Sequence, residues 1–256
     1  MNLVDTHSHI YGEEFAEDRA EVIERLKANH VTRVYFPNID STSIEDMHKM
    51  EAMEPDLFRC MMGLHPTSVA ENYKEELDIV AQWLDKRQYV GIGEIGIDLY
   101  WDDKFKKEQI EVFETQMQMS IEKNLPIIIH SRNAFEEIVT SIRKFPKGSL
   151  RGIFHSFGGT KEEADVIFSL GDFKLGINGI ITFKNSTLGN VVKDIPNNKI
   201  VLETDSPYLT PVPFRGKRNE SSFILYTAQK IAELKGLSLE MIGNITKANA
   251  EEVFSP

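Results

Sequence analysis

Five of the seven histidines in this chain close or directly follow short apolar runs, and carboxylates close or sit within others. Imidazole and carboxylate are the side chains that bind divalent cations and move protons. His7 and His9 follow the run Leu-Val-Asp-Thr with a spacing of two, which in an extended segment turns both rings to one side, where they can hold one ion. An HxH pair alone is a weak signal, and its place at the end of a first strand is what gives it weight. His65 ends the run 58–65, His130 the run 126–130 and His155 the run 152–155. Glu94 lies among glycines in GIGEIGID, where its two oxygens can bridge two cations. The alternative is a salt-bridged buried glutamate, but a buried carboxylate is costly without positive charge beside it. Glu203 and Asp205 end the run 200–205 and, two apart, are expected to share a strand face, Asp205 toward a metal or its water and Glu203 supporting from deeper. The candidate ligands His7, His9, Glu94, His130, His155 and Asp205 exceed the four of one tetrahedral site, and their mixed nitrogen and oxygen chemistry predicts a binuclear centre. His30 and His48 fall in helical or helix-end segments and read as ordinary histidines.

These residues need a frame that brings strand ends together. The apolar runs 3–7, 31–36, 58–65, 90–96, 126–130, 152–155, 173–177 and 200–205 alternate with stretches of helical spacing near 16–29, 41–53, 74–86, 104–123, 133–145, 160–169, 220–235 and 238–253. In 104–123 the apolar stripe is Ile110, Phe113, Met117 and Ile121. Eight strands alternating with helices predict an α/β fold, a TIM-type (β/α)8 barrel, in which strand C-terminal ends converge on one pocket. An open doubly wound sheet is the other arrangement compatible with this order. The segment 208–221, with two prolines and a basic cluster, reads as a long loop after the last strand.

A length of 256 residues without a linker, repeat or low-complexity segment is expected to form a single domain, 1–256. The net charge of −11 opposes a broad basic face gripping duplex DNA, though not a local site built from metal ions and a few arginines. The one cysteine, Cys60, excludes an internal disulfide and reads as a buried thiol. No apolar run is long enough to cross a bilayer and the opening MNLVDTHSHI lacks signal-peptide features, so a cytoplasmic location and no membrane partner are expected.

In chain order, DTHSH, GLHP, GEIGID, IIIHSR, FHSFGG, LETDSPYL and RGKRNE resemble the TatD family of metal-dependent hydrolases and deoxyribonucleases over the whole chain. DTHSH is shared by many amidohydrolase-type barrels, whereas GEIGID, LETDSPYL and RGKRNE together are specific. The resemblance implies a TIM-type barrel with one metal on His7, His9, Glu94 and Asp205, and a second on Glu94, His130 and His155. It also implies that His65 faces the substrate phosphate, that Asp205 orients or deprotonates the attacking water, and that the activity is a metal-dependent DNase, often exonucleolytic from the 3′ end. Magnesium is the expected ion, with manganese or zinc as alternatives. The chain departs from the family pattern at Asn133 (often Asp), Ser221 (often Pro) and Thr67 (often His). Asn133 is expected to cap the following helix, and Ser221 and Thr67 to alter the pocket rim.

Two cations suit phosphodiester hydrolysis, with Asp205, His65 and Glu94 as catalytic residues. Arg132 and Arg215 are candidates for substrate phosphate, as are Lys217 and Arg218 in the same basic loop, although solvated roles are as common. Tyr100 and Trp101 could stack on a nucleobase or pack the barrel rim. The expected partner is DNA with single-stranded or frayed ends; no protein partner is inferable. The alternative function is hydrolysis of another small ester, amide or phosphoester, including aminoacylated RNA.

Overall fold

The structure, a computed structural model, describes residues 1–255. Its strands are β1 (Leu3–Asp5), β2 (Val31–Phe36), β3 (Phe58–Cys60), β4 (Ile92–Asp98), β5 (Ile127–Arg132), β6 (Arg151–Phe154), β7 (Asp172–Ile177) and β8 (Ile200–Leu202). All pair in parallel, in the orders β1-β2-β3 and β4-β5-β6-β7-β8. Backbone bonds join the two sheets at both seams. Gly93 N donates to Met62 O at 3.1 Å and Met62 N to Gly91 O at 3.2 Å, while Thr6 N donates to Leu202 O at 3.0 Å and His9 N to Ser206 O at 2.8 Å. The strands therefore form a ring, the TIM-type barrel expected from the alternation.

The helices are α1 (Arg19–Ala28), α2 (Ile44–Met53), α3 (Tyr73–Lys86), α4 (Lys106–Lys123), α5 (Phe135–Ile142), α6 (Lys161–Leu170), α7 (Leu188–Asp194), α8 (Ile224–Lys235) and α9 (Leu239–Phe254). The sequence reading missed α7, a short helix whose Gly189 and Asn190 break the apolar spacing. Val4 of β1, Tyr35 of β2, Met61 just beyond β3, Ile128 of β5, Ile153 of β6 and Val201 of β8 meet Ala250 and Val253 of α9 in one buried cluster. Each such side chain contributes roughly 1.5–3 kcal/mol by leaving water. Helix α9 thus closes one end, its Phe254 ring stacked on Tyr35 at 3.8 Å, and leaves the other end for chemistry. No helix among the described residues is long and apolar enough to cross a membrane.

Two expectations about local geometry are corrected. Strands β1, β3 and β8 end at Asp5, Cys60 and Leu202, so His7, His9, His65, Glu203 and Asp205 lie in the segments beyond, where pairing continues only through isolated bridges such as Ser8 to Ser206. Strand alternation therefore does not place Glu203 and Asp205, and Asp205 is turned by a left-handed backbone, φ 57°. In α4 the buried face includes Gln109 and Gln116 beside Val112, Phe113 and Met117, whereas Ile110 and Ile121 are only partly buried. Hydrophobicity alone could not reveal a face whose amides have backbone partners.

Candidate metal centre

Glu94, on β4 and 2% exposed, is the hub of the open end of the barrel. Its Oε2 lies 3.0 Å from His7 Nε2 and 3.8 Å from His9 Nε2. Its Oε1 lies 2.8 Å from His130 Nδ1, 3.5 Å from His65 Nε2 and 3.7 Å from His155 Nε2. Asp205 Oδ1 completes the cluster at 3.8 Å from the Nε2 atoms of both His7 and His9 and 3.7 Å from that of His155. The ligand atoms form three compact groups: His7, His9 and Glu94; His7, His155 and Glu203; and His65, Glu94 and His130. His65 joins Glu94 and His130, while His155 stacks on His7 with ring centroids 3.5 Å apart and leans toward Glu203.

The donor chemistry fits a cation. Tyr11 donates its hydroxyl to Pro37 O at 2.6 Å, so it accepts from His9 Nδ1 at 2.9 Å. This fixes the His9 proton on Nδ1 and leaves the Nε2 lone pair aimed into the cluster, 3.2 Å from His7 Nε2. Two ring nitrogens so close can share at most one proton, whereas a cation can accept both lone pairs. His155 Nδ1 sits 3.1 Å from Glu203 Oε1, at ion-pair distance but without hydrogen-bond geometry. His7 Nδ1 and Glu203 Oε2 are buried without a partner. His130 is held on both sides, by Glu94 at Nδ1 and by Asp98 Oδ2 at Nε2, 2.9 Å away. A His130 nitrogen that ligates a cation gives up one of these bonds.

Burial and mutual charge set the protonation. Burial lowers His7 well below the ordinary range and His9 to about 4. Burial also opposes charge on His130 and His155, but hydrogen bonds to Asp98 and Glu94 bring His130 up to about 9, and the charges of Glu203 and Glu94 bring His155 up to about 10. Burial would raise Glu94, yet His7, His65 and His155 together with the His130 hydrogen bond hold it well below the usual carboxylate range. Burial pushes Asp205 up to about 7. These carboxylates require positive charge, which protons on His130 and His155 or a divalent ion supply alike.

Supporting groups absent from the sequence reading hold this cluster. Asp5, fully buried, takes Thr204 N at 2.9 Å and Thr204 Oγ1 at 2.6 Å, tying the His7 loop to the Asp205 loop. Gln109 clamps Asp98, accepting from its N at 2.8 Å and donating to its O at 3.1 Å; Gln116 does the same to Leu64, next to His65, at 2.7 and 3.1 Å. Asn178 donates to Glu203 Oε1 at 3.2 Å, and Ser156 N to the same oxygen at 2.7 Å. Asp98 had a readable signal, since Glu94, Gly96 and Asp98 share one face of β4 by the two-residue period. Thr67 N donates to His65 Nδ1 at 3.1 Å, leaving Nε2 to carry the proton toward the cluster.

Other expected residues fall elsewhere. Arg132 stacks on Tyr100, 3.7 Å from the ring centroid, and Arg215 on Phe183 at 3.8 Å, neither within reach of the histidine cluster by hydrogen bond. Lys217 lies 5.5 Å over the Phe214 ring. Arg218 is committed to structure: it donates to Asp18 Oδ2 at 2.7 Å and to Glu14 O at 2.6 Å, and covers Phe15. Asn133 does not cap α5, whose N-cap is Ala134; it takes a left-handed φ of 53°, which asparagine tolerates. Ser221 is buried against Ser8 Oγ at 3.2 Å rather than at the rim, because the loop 208–221 folds back under the His7–His9 segment.

A family model described as TatD related DNase matches residues 4–255. The chain is 41% identical over 254 residues to the uncharacterized metal-dependent hydrolase YabD of Bacillus subtilis, covering 98% of both chains. It is 30% identical over 259 residues to the uncharacterized metal-dependent hydrolase YcfH of Escherichia coli K12, covering 99% of this chain and 96% of the relative. Among solved structures, YjjV, a TatD homolog from Escherichia coli K12, superposes with a TM-score of 0.90 at 24% identity over 99% of this chain and 98% of that one, a likeness of fold. With the family model spanning nearly every residue and relatives matched end to end, the chain belongs to the TatD family, to which its metal-compatible barrel mouth conforms.

Proposed function

We propose that this protein is a divalent-metal-dependent hydrolase of phosphodiester bonds, a DNase that shortens single-stranded or frayed ends from the 3′ side. The observation that carries this reading is the buried Glu94 carboxylate with one oxygen toward His7 and His9 and the other toward His65, His130 and His155. His7, His9, Glu94 and Asp205 would hold one ion, and Glu94, His130 and His155 a second, with magnesium, manganese or zinc as occupants. Bound there, divalent ions would acidify a water and neutralise charge building on the phosphoryl oxygens.

The chain's own groups supply the rest. Asp205 accepts the proton of the attacking water, its backbone held against the His7 loop by the bond from Asp205 N to His7 O at 2.9 Å. His65, with its Nε2 proton fixed by Thr67, donates to a phosphoryl or departing oxygen. Glu203 holds the His155 ring so that Nε2 faces the cluster. Asp98 and Glu94 flank the His130 ring, so the bond that is kept when the other nitrogen meets an ion still orients it.

The test is a time course on a 5′-labelled single-stranded oligonucleotide with magnesium or manganese, beside a chelated control and Glu94→Ala. A metal-dependent ladder receding from the 3′ end, absent in the variant, is the expected result. An intact oligonucleotide with metal demonstrably bound refutes the phosphodiester reading and shifts the substrate to a small ester, amide or aminoacylated RNA.

A further inference from the structure

Beyond Asp98, the chain leaves β4 at the open end of the barrel with its backbone tied down. Gln109 clamps Asp98 at both N and O, Tyr100 N donates to Asp98 Oδ1 at 3.0 Å, and Leu99 N donates to Arg132 O at 2.9 Å. On this fixed backbone Tyr100 and Trp101 stay 51% and 71% exposed, packed edge to face with centroids 5.0 Å apart. The Arg132 guanidinium lies 3.7 Å from the Tyr100 centroid and 5.2 Å from that of Trp101. Among the described residues its side chain makes no hydrogen bond or ion pair, so its fork of donors faces outward. The register pairs Asp98 with Arg132, and the Asp98 carboxylate that accepts from Tyr100 N also holds His130. One carboxylate thus separates these planar groups from the histidine cluster.

We infer that Tyr100, Trp101 and Arg132 form a stacking shelf for the unpaired nucleobase next to the scissile phosphate, with the Arg132 fork on a neighbouring phosphate. This assignment rests on the phosphodiester reading of the same site. An indole this exposed contributes little to the core, whereas any base offers a π-face to it. With a net charge of −11, the protein cannot hold a strand by phosphate neutralisation over a long footprint, so base stacking must carry the affinity. A paired base keeps both faces stacked inside the duplex, which makes the shelf selective for single-stranded or frayed ends.

The chain has two tryptophans, and Trp83 lies in the last turns of α3 against His48. In Trp83→Phe, fluorescence therefore reports Trp101 alone. The variant, with magnesium present, is titrated with a short phosphorothioate oligothymidylate that resists hydrolysis, and with an abasic strand of equal length and charge. Saturable quenching by the base-bearing strand only is expected, with the midpoint raised about tenfold by Arg132→Ala. No quenching, or equal quenching by the abasic strand, overturns the shelf. Should Trp83→Phe not fold, the same titration of wild type against Trp101→Ala decides it: quenching lost in the variant supports the shelf, and quenching retained overturns it. Quenching without hydrolysis of any natural oligonucleotide keeps a base-stacking surface at Trp101 but refutes the phosphodiester reading and with it the place beside a scissile phosphate; hydrolysis without quenching overturns the shelf and keeps the phosphodiester reading.

Discussion

Alanine at Gly96 should cripple the active site, while alanine at Gly152 should damage only the fold. The two glycines are geometric twins on neighbouring seams. Gly96 has φ 150° and would place a Cβ 1.9 Å from His130 O; Gly152 has φ 155° and would place one 1.9 Å from Ile127 O. In both cases the obstacle is backbone, so the strands must part by more than about 1 Å to reach ordinary packing distance. Overpacking costs about 1–3 kcal/mol and the backbone strain at these φ values about the same again, giving roughly 2–6 kcal/mol for either variant. At about 2–4 °C per kcal/mol for a domain of this size, both melting temperatures should fall by roughly 5–20 °C. Their effects on chemistry should differ. Gly96 is the register partner of His130, whereas Gly152 pairs with Ile127 at the far end of β5. Displacing His130 by about 1 Å from Glu94 and Asp98 should cost roughly 100-fold in turnover. The assay is thermal unfolding by circular dichroism together with turnover measured well below both transitions. Equal activity losses in the two variants, or no loss of stability in either, would refute the reasoning.

Glu94→Ala should remove the thermal stabilisation by manganese or magnesium: ligand at about 100 times its Kd adds about 2.7 kcal/mol per site to the wild type, a shift of roughly 5–10 °C in a melt, and a shift that survives in the variant places the ion elsewhere. Asp98→Asn should reduce metal affinity or turnover about 10–100-fold with little change in melting temperature, because its carboxylate orients His130 rather than packing the core; rates near wild type would show that the His130 orientation does not depend on it. Gln116→Leu leaves both Leu64 N and O buried without partners, a cost of about 2–6 kcal/mol by denaturant titration, and a loss under about 1 kcal/mol would mean the clamp is idle. Hydrogen bonds from Arg218 and then Arg25 hold the half-exposed Asp18 carboxyl below its ordinary 3.8. A depressed folded value stabilises above the ordinary value and loses that effect as pH falls through the lower one. Asp18→Asn should therefore cost up to about 1 kcal/mol at pH 7 and progressively less as pH falls below 4; a cost independent of pH removes the charge from the explanation.

The sequence by itself determined the alternation of strands and helices and named the candidate residues at their ends. Eight apolar runs with helical stretches between them are local patterns, and motifs such as GEIGID and LETDSPYL place histidines and carboxylates at successive run ends. Even the error in α4 was local, since apolar spacing ranks Ile110 and Ile121 above glutamines that the fold buries. Only the tertiary structure decided how the site is held. The His9 proton depends on a carbonyl at Pro37, the placement of His65 on Gln116 clamping Leu64 across 52 residues, and the junction of the His7 and Asp205 loops on Asp5 reaching Thr204 across 199 residues. Tyr100 and Trp101, readable either as rim packing or as stacking surface, follow the Asp98–Leu99 backbone that Gln109 and Arg132 O hold, and stay exposed. Hydrophobic periodicity fixes which residues turn inward, because burial acts on each residue by its own surface. A buried polar group is satisfied only by a partner at hydrogen-bond distance with the right proton, and that partner is supplied by chain closure rather than by neighbours in sequence.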